Sequence, residues 1–391
     1  MAEKNALRLK PGPHRVLEGS PWIYRGELFR NEAEPGTIVS VVDEHGHFVG
    51  KGLYNPRSII AVRLLTRIRS AVIDDAWFAA KVEQAWAMRR QFARGREAFR
   101  VIHSEADGLP GLTVDKYGPM LVIEVASLGM VPFMPAIIEQ LVQSAKPAGI
   151  YERGDLPVRD KEGLPRRDRL VYGEMISPVD ITEHGVVMNV DIIEGQKTGH
   201  FLDQYGNRIR AGELAQDKTV FDAFCHTGGF GLACAQHGAV SVTGIDIDPY
   251  AIVKAEENAR RNKLEERMRF VTANAFDWLR KESDQGPHYD LGVLDPPAFT
   301  KSRETVPSAL KGYKEINLRG LKLINPGGIL ITASCSYHVS EAEFIHVVQQ
   351  AAYDAHRTVK MLEIRGQGPD HPMLPALPES RYLKCLVLQV F

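Results

Sequence analysis

Cysteine is scarce in this chain. Four stand in 391 residues (Cys225, Cys234, Cys335 and Cys385), with no Cys-x-x-Cys pair and no disulfide-like framework. That excludes a disulfide-stapled scaffold and fits reduced thiols in a cytoplasmic protein. No apolar run approaches the ~18–20 residues that a spanning helix needs. The first ten residues, MAEKNALRLK, lack the apolar core of a secretory signal. The expectation is a cytoplasmic protein with no membrane partner. No His/Cys/Asp grouping has metal-ligand spacing, so no metal is expected. A surplus of charge is also missing, with 48 basic against 49 acidic residues. The usual basic footprint of a nucleic-acid binder is therefore absent. The basic residues are nonetheless clustered, at Arg89, Arg90, Arg94, Arg96 and Arg100 and again between Arg153 and Arg169. Such runs are most often solvated faces; they permit an RNA groove without requiring one.

What is present falls into three blocks, a number that the chain length allows. Residues 1 to about 70 alternate turn residues with runs rich in β-branched and aromatic side chains: Thr37–Val42, Phe48–Tyr54 and Ile59–Leu65. This pattern predicts a small β-barrel. A helix over Asp74–Gln91 follows, with Asp74 and Asp75 in its first turn. The block from 71 to about 180 predicts strands at Leu112–Asp115, Leu121–Ser127 and Gly149–Arg153. It adds one helix, Met134–Ala145, bracketed by Pro132, Pro135 and Pro147. The last block, 181–391, changes from Asp217 onward to strand–turn–helix repeats. Strands are predicted at Thr219–Phe224, Ser241–Ile245, Met268–Thr272, Tyr289–Leu294, Ile329–Thr332 and Tyr382–Phe391. Alternation of this kind predicts an α/β fold with a Rossmann-like, doubly wound parallel sheet.

In such a sheet the ligand crevice lies outside the carboxyl ends of the strands. After the first strand comes Asp222-Ala-Phe-Cys-His-Thr-Gly-Gly-Phe-Gly231. Its glycines let the backbone turn sharply and approach a ligand, but the spacing is not the Gly-x-Gly-x-x-Gly of a dinucleotide pyrophosphate site. The second strand ends in Asp246-Ile247-Asp248. An acid about 20 positions past a glycine turn accepts hydrogen bonds from ribose hydroxyls. Helix capping is the other use of aspartate there; Asp246 is expected on the ribose and Asp248 on the cap. After the third strand, Asn274-Ala275-Phe276 offers an amide and an aromatic edge to adenine. These features in order suit S-adenosylmethionine better than a nicotinamide dinucleotide. The expected cofactor set is Phe201, Asp222, Cys225, Thr227, Gly228, Gly229, Phe230, Asp246, Ile247, Asn274, Ala275, Phe276 and Asp295. Cys225 is expected to contribute its backbone only.

Two further strand ends carry Leu-Asp295-Pro-Pro-Ala-Phe299 and Thr-Ala-Ser-Cys335-Ser-Tyr337. They would place a carboxylate and a thiol at one mouth. A small apolar role is the ordinary reading of a lone cysteine; its place opposite Asp-Pro-Pro favours a nucleophile for Cys335. Cys234 and Cys385 are read as packing, and His371 beside Asp370 as structural.

These residues resemble a known family. The chain resembles the class I S-adenosylmethionine-dependent methyltransferases that modify cytosine at carbon 5 in large-subunit ribosomal RNA, in the subfamily with an N-terminal PUA domain. The resemblance covers nearly the whole chain. It rests on Gly19-Ser-Pro-Trp22, Gly52-Leu-Tyr-Asn-Pro-Arg57, Glu105-Ala-Asp-Gly-Leu-Pro-Gly111 and Tyr151-Glu-Arg153. It continues through Gly195-Gln-Lys-Thr-Gly199, Phe201-Leu-Asp-Gln204, Asp295-Pro-Pro, Ser334-Cys-Ser336 and Asp370-His-Pro372. It implies a PUA barrel, a small α+β connector and a Rossmann-like catalytic domain, with ribosomal RNA as partner and a homodimer left open. It also implies that Phe201 walls the cofactor. The family often has Arg where this chain has Tyr205, and an acid where it has Asn274. The chemistry of carbon-5 methylation then casts Cys335 as the nucleophile at carbon 6 and Asp295 as the group at ring nitrogen 3. A stacking face for the unstacked base is offered by Phe299 or Tyr337. Two rivals remain: an adenine amino-methyltransferase using the Asp-Pro-Pro turn, with Ala298 where that turn has its aromatic ring, and an RNA-binding protein without catalysis.

Overall fold

The computed structural model describes residues 6–286, 288–300 and 302–391. The chain divides into two compact units, and it passes between them more than once. The first holds the residues up to Val179 together with Val190–His200 and Pro369–Ser380; the second holds Asp180–Asn189, Phe201–Gly368 and Arg381–Phe391.

The first unit contains two five-stranded sheets. One is formed by Leu7–Arg8, Ile38–Val42, Phe48–Tyr54, Ile60–Thr66 and Trp22–Tyr24, hydrogen-bonded in that order. The other runs Arg169–Gly173, Gly149–Glu152, Met120–Val125, Leu112–Tyr117 and Ala98–His103. Helix Asp75–Phe92 begins as its sequence suggests, with the Asp74 carboxylate accepting from the Trp77 N–H at 2.9 Å. Helix Met134–Ala145 packs with it over the second sheet. Leu53, from the first sheet, is buried in this same core beside Phe78, Val82 and Leu112. Other buried residues of the first sheet, among them Ile23, Val41 and Val62, form a core of their own. A short helix, Pro157–Glu162, lies between Gly149–Glu152 and the edge strand Arg169–Gly173. Asp370 and His371 belong to this unit. The Asp370 carboxylate accepts from the Arg96 guanidinium at 3.1 Å and the Arg100 N–H at 3.2 Å, and with His371 beside it is held well below the usual carboxylate range.

The second unit is built on a seven-stranded sheet. In chain order its elements are β1 (Thr219–Ala223), α1 (Gly229–Gln236), β2 (Ser241–Asp246), α2 (Pro249–Arg261), β3 (Met268–Thr272) and α3 (Ala275–Ser283). They continue with β4 (Tyr289–Leu294), α4 (Val306–Leu323), β5 (Ile324–Ser334), α5 (Glu341–Asp354), β6 (Val359–Arg365) and β7 (Lys384–Val390). The strand order is β3-β2-β1-β4-β5-β7-β6. The first five strands are parallel. β7 enters antiparallel between β5 and β6. The parallel strands expected from the sequence are found, the last strand makes the sheet a mixed one, and β6 is an element that the pattern did not reveal. A helix over Tyr205–Glu213 is likewise additional. The core lies between the sheet and helices α3, α4 and α5, and includes Phe221, Leu294, Tyr313, Leu330 and Phe344. Register places Ala223 beside Ile245 and Leu294, and Leu294 beside Thr332. The carboxyl ends of β1, β2, β4 and β5 consequently finish in one row.

Candidate active site

The turn after β1 is strained by design of its sequence. Phe224 and His226 adopt positive φ values of 67° and 48°, and Gly228 lies at 87°. Non-glycine residues held in this region concentrate at functional sites. The turn is tied down by hydrogen bonds from the Cys225 N–H to the Ile245 carbonyl at 3.0 Å and from the Gly228 N–H to the Cys225 carbonyl at 2.8 Å. A Cβ on Gly228 would meet Ala255 at 3.3 Å, so glycine also permits α1 to sit close to α2. Thr227 accepts from the Asn258 side chain at 3.2 Å. Phe230 and Cys225 are buried, which leaves the backbone of the turn and of the first helical residues, Gly229 included, to meet a ligand.

Asp246 stands at the end of β2 and braces two loops. One carboxylate oxygen accepts from the His226 N–H at 2.8 Å and the other from the Asp248 N–H at 3.0 Å. Asp248 itself caps α2, accepting from the Tyr250 N–H, as its position suggested. Ile247 between them is 66% exposed, an apolar face beside a carboxylate. Asn274 caps α3 through its side-chain oxygen on the Phe276 N–H at 2.9 Å. That commits the oxygen and leaves the NH₂ group for an adenine edge. Ala275 is buried, and Phe276 joins an aromatic cluster with Phe224 and Phe299, with ring centroids 5.6–6.4 Å apart. Phe201 meets the His226 ring edge-on at 5.2 Å, its carbonyl held by the Arg208 guanidinium at 2.8 Å.

Asp222 is wholly buried. One oxygen accepts from the Gly231 N–H at 2.9 Å; the other has no hydrogen-bond partner among the described residues. Burial, reinforced by the nearby charges of Asp295 and Asp246, raises its carboxyl to about 8. Three carboxyl groups gathered at one sheet edge disfavour a diphosphate. They suit a ligand that carries an ammonium, a sulfonium and ribose hydroxyls, which is the donor set of S-adenosylmethionine.

The two distant motifs do meet. The Cys335 sulfur lies 3.8 Å from the Pro296 carbonyl oxygen, half-buried, one residue past the end of β5. Asp295 follows β4 and accepts from the Gln204 side-chain NH₂ at 2.8 Å. Ser336 is held on both sides: its hydroxyl pairs with the Tyr313 hydroxyl at 2.7 Å, and its carbonyl accepts from the Lys384 ammonium at 2.7 Å. Lys384 also donates to the Tyr382 carbonyl at 2.9 Å. Burial lowers its ammonium to about 8, against the opposing field of Cys335, Glu341 and Glu343. Sequence reasoning missed Lys384 and Gln204. The one available signal was a lysine opening an otherwise apolar strand. Tyr337 is exposed beside the thiol. By contrast Cys234 and Cys385 are buried, and burial pushes the Cys385 thiol to about 12 and that of Cys234 higher still. Among the described residues no three His, Cys, Asp or Glu side chains are placed to hold a metal ion, and no helix is long and apolar enough to cross a membrane.

A mixed sheet of this order, with a glycine turn and an acidic row at its carboxyl edge, defines an S-adenosylmethionine-dependent methyltransferase. The comparisons agree. Residues 138–386 match the family model of an S-adenosylmethionine-dependent methyltransferase, and residues 7–67 match a PUA-like domain. The chain is 40% identical over 393 residues to ribosomal RNA large subunit methyltransferase I of Shewanella frigidimarina, covering 98% of this chain and 99% of that protein. It is 38% identical over 376 residues to the protein of that name from Aliivibrio fischeri, covering 95% of each. A protein from Streptococcus mutans described as a SAM-dependent methyltransferase superposes with a TM-score of 0.84 at 20% identity, covering 98% of this chain and 99% of that one. The chain belongs to the S-adenosylmethionine-dependent methyltransferases, in the branch of the ribosomal RNA large subunit methyltransferase I proteins. The family resemblance seen in the motifs is borne out at this level, and so is the cofactor.

Proposed function

We propose that the protein methylates carbon 5 of a cytosine in large-subunit ribosomal RNA, with Cys335 as covalent nucleophile. The observation that carries this reading is the approach of the Cys335 sulfur to the Asp-Pro-Pro turn, 3.8 Å from the Pro296 carbonyl. The names of the relatives support ribosomal RNA as the substrate, and the PUA-like match at 7–67 supports its capture. S-adenosylmethionine, when bound, supplies a methyl group on a positively charged sulfur.

The chain's own groups supply the rest. The Cys335 thiolate bonds to carbon 6, and the displaced electron pair is drawn toward ring nitrogen 3, which takes a proton from Asp295. Carbon 5, now electron-rich, takes the methyl group. Loss of the carbon-5 proton re-forms the double bond to carbon 6, Cys335 leaves as thiolate, and the nitrogen-3 proton returns to Asp295. One proton is released overall. Covalent addition splits one difficult step into easier ones. The Lys384 ammonium, within the field of the thiol, favours the thiolate at both ends of the cycle. Phe299 and Tyr337 flank the mouth with aromatic faces on which an extruded base can stack.

The test is a large-subunit ribosomal RNA transcript carrying 5-fluorocytidine. Fluorine cannot leave carbon 5 as a proton does, so the expected outcome is a denaturation-resistant protein–RNA adduct that Cys335→Ala abolishes. Full methylation of unmodified RNA by the Cys335→Ala protein would sink the covalent mechanism.

A further inference from the structure

We infer that Gln204 and Asn207 are positioning residues that fix which oxygen of Asp295 carries its proton, through a hydrogen-bond relay anchored on the Arg365 guanidinium. The inference rests on the reading of Asp295 as proton donor to the base, and it gives a role to the segment after Phe201.

The relay runs through four side chains of the second unit. Arg365 Nε donates to Asn207 Oδ1 at 2.9 Å; Asn207 Nδ2 donates to Gln204 Oε1 at 2.6 Å; Gln204 Nε2 donates to Asp295 Oδ1 at 2.8 Å. Side-chain amides look alike end to end, so their orientation must be argued from groups that have no choice. Here there are two. A guanidinium only donates, and a backbone carbonyl only accepts. Arg365 Nε requires that Asn207 present its oxygen, and the Gly366 carbonyl, 3.3 Å from Asn207 Nδ2, requires that it present its NH₂ on the other side. With Asn207 fixed, its NH₂ dictates that Gln204 offers its oxygen there and its own NH₂ to Asp295.

The consequence falls on the carboxyl group. Oδ1 is faced by an N–H and is bound to accept, so a proton on Asp295 resides on Oδ2. Gln204 and Asn207 are 3% and 2% exposed, which keeps water from substituting for either amide. Arg365 is itself held by Glu363 at 2.7 Å and by the Gly206 carbonyl at 3.1 Å. The relay thus begins at a braced charge in β6, crosses the first turn of the helix Tyr205–Glu213, and ends at the reacting group. It converts a symmetric carboxyl into a directed donor, which is how a structure aligns a proton transfer in advance.

The experiment uses the full chain and two isosteric variants. Gln204→Glu replaces the donor to Asp295 by an acceptor; Asn207→Asp keeps the acceptor for Arg365 but removes the donor to Gln204. Each is expected to lower kcat on the ribosomal RNA transcript by about 10- to 100-fold, the scale of a misaligned reacting group, with KM for RNA and for S-adenosylmethionine within about twofold of wild type. Adduct formation with the 5-fluorocytidine transcript should slow by the same factor, because proton delivery accompanies attack at carbon 6. Arg365→Met should cost less, a few-fold, since the Gly366 carbonyl still orients Asn207, and Arg365→Lys should restore part of that loss. A purely structural role would instead move KM or the melting temperature and spare the split. Wild-type rates of turnover and trapping in both isosteric variants, with trapping still abolished in Asp295→Asn, would overturn the relay and leave the proposed chemistry standing. Failure of the wild-type protein to trap RNA at all would overturn the chemistry, and the relay with it.

Discussion

Asp222 is a carboxyl group kept where no carboxylate is comfortable, and its cost has a definite pH dependence. Its folded value, about 8, lies above the ordinary value of 3.8. Between those limits the folded state holds a proton that the unfolded chain releases, so this residue makes stability fall as pH rises from about 4 to 8. Asp222→Asn should therefore raise the melting temperature of the cofactor-free protein, by little near pH 4 and most near pH 8, while weakening S-adenosylmethionine binding. Thermal scans at both pH values with calorimetric titration of the cofactor check this; equal stabilisation at the two values would refute the assignment. Lys384 is the opposite case, a cation whose folded value is lowered to about 8. It is charged below that pH and neutral above it. Methylation should fall as pH climbs through about 8, and Lys384→Met should reduce the rate at pH 7 by about 10-fold or more and flatten that basic limb. A rate–pH profile of the two proteins decides it. Asp222, at the head of the glycine turn, is visible as a site residue in the sequence; Lys384 is not. Asp295 and Cys335 are, because each follows an apolar strand within a short motif. Lys384, Gln204 and Arg365 bond to partners that are distant in the chain, and such pairings have no local signature.

At the scale of elements, the parallel part of the second unit was legible because strands buried on both faces read as unbroken apolar runs. Tyr289–Leu294 is found where it was expected, with its last four residues buried. β6 was not legible, since Val-Lys-Met-Leu-Glu-Ile-Arg lies at the sheet edge and leaves Met361, Leu362 and Ile364 exposed. The helix Tyr205–Glu213 was hidden because it has no side-chain N-cap and carries Gly206 in its first turn. β4 illustrates how an element is held in register by what it omits. A Cβ on Gly292 would lie 2.3 Å from the Phe221 ring of β1, so the neighbouring strands close over a fully buried aromatic side chain only with glycine at this point. Gly292→Ala should destabilise the protein by about 2–3 kcal/mol through overpacking. Urea unfolding measures this, and a loss under ~0.5 kcal/mol, the range of ordinary surface changes, would show that Phe221 has room to move.

For the whole molecule, the N-terminal sheet reads in sequence as a separate block, yet Leu53 lies in the interior that Phe78, Leu112 and Ile137 also line. The Glu105 carboxylate accepts from the Trp22 indole at 2.9 Å and from Arg63, and Asn55 donates to the Glu162 carboxylate at 2.7 Å. Deleting residues 1–68 should therefore expose an apolar core and leave buried acids without partners. The truncated chain is expected to bind a hydrophobic dye and to melt earlier, in addition to losing RNA methylation. Dye fluorescence and a melting curve matching the intact chain would instead make this block a detachable module. Turn residues mark the ends of strands and say nothing of contacts such as that of Leu53, which no local pattern announces.

The order of strands in the sheet has a further consequence, in time rather than in space. β7 is the last of the seven to be synthesised, and it lodges between β5 and β6, carrying Lys384 to the Ser336 carbonyl. A chain still emerging from the ribosome can form its glycine turn and expose Cys335 before that lysine exists. On the proposed mechanism, the thiol thus spends its nascent life without its cationic neighbour until β7 has been made.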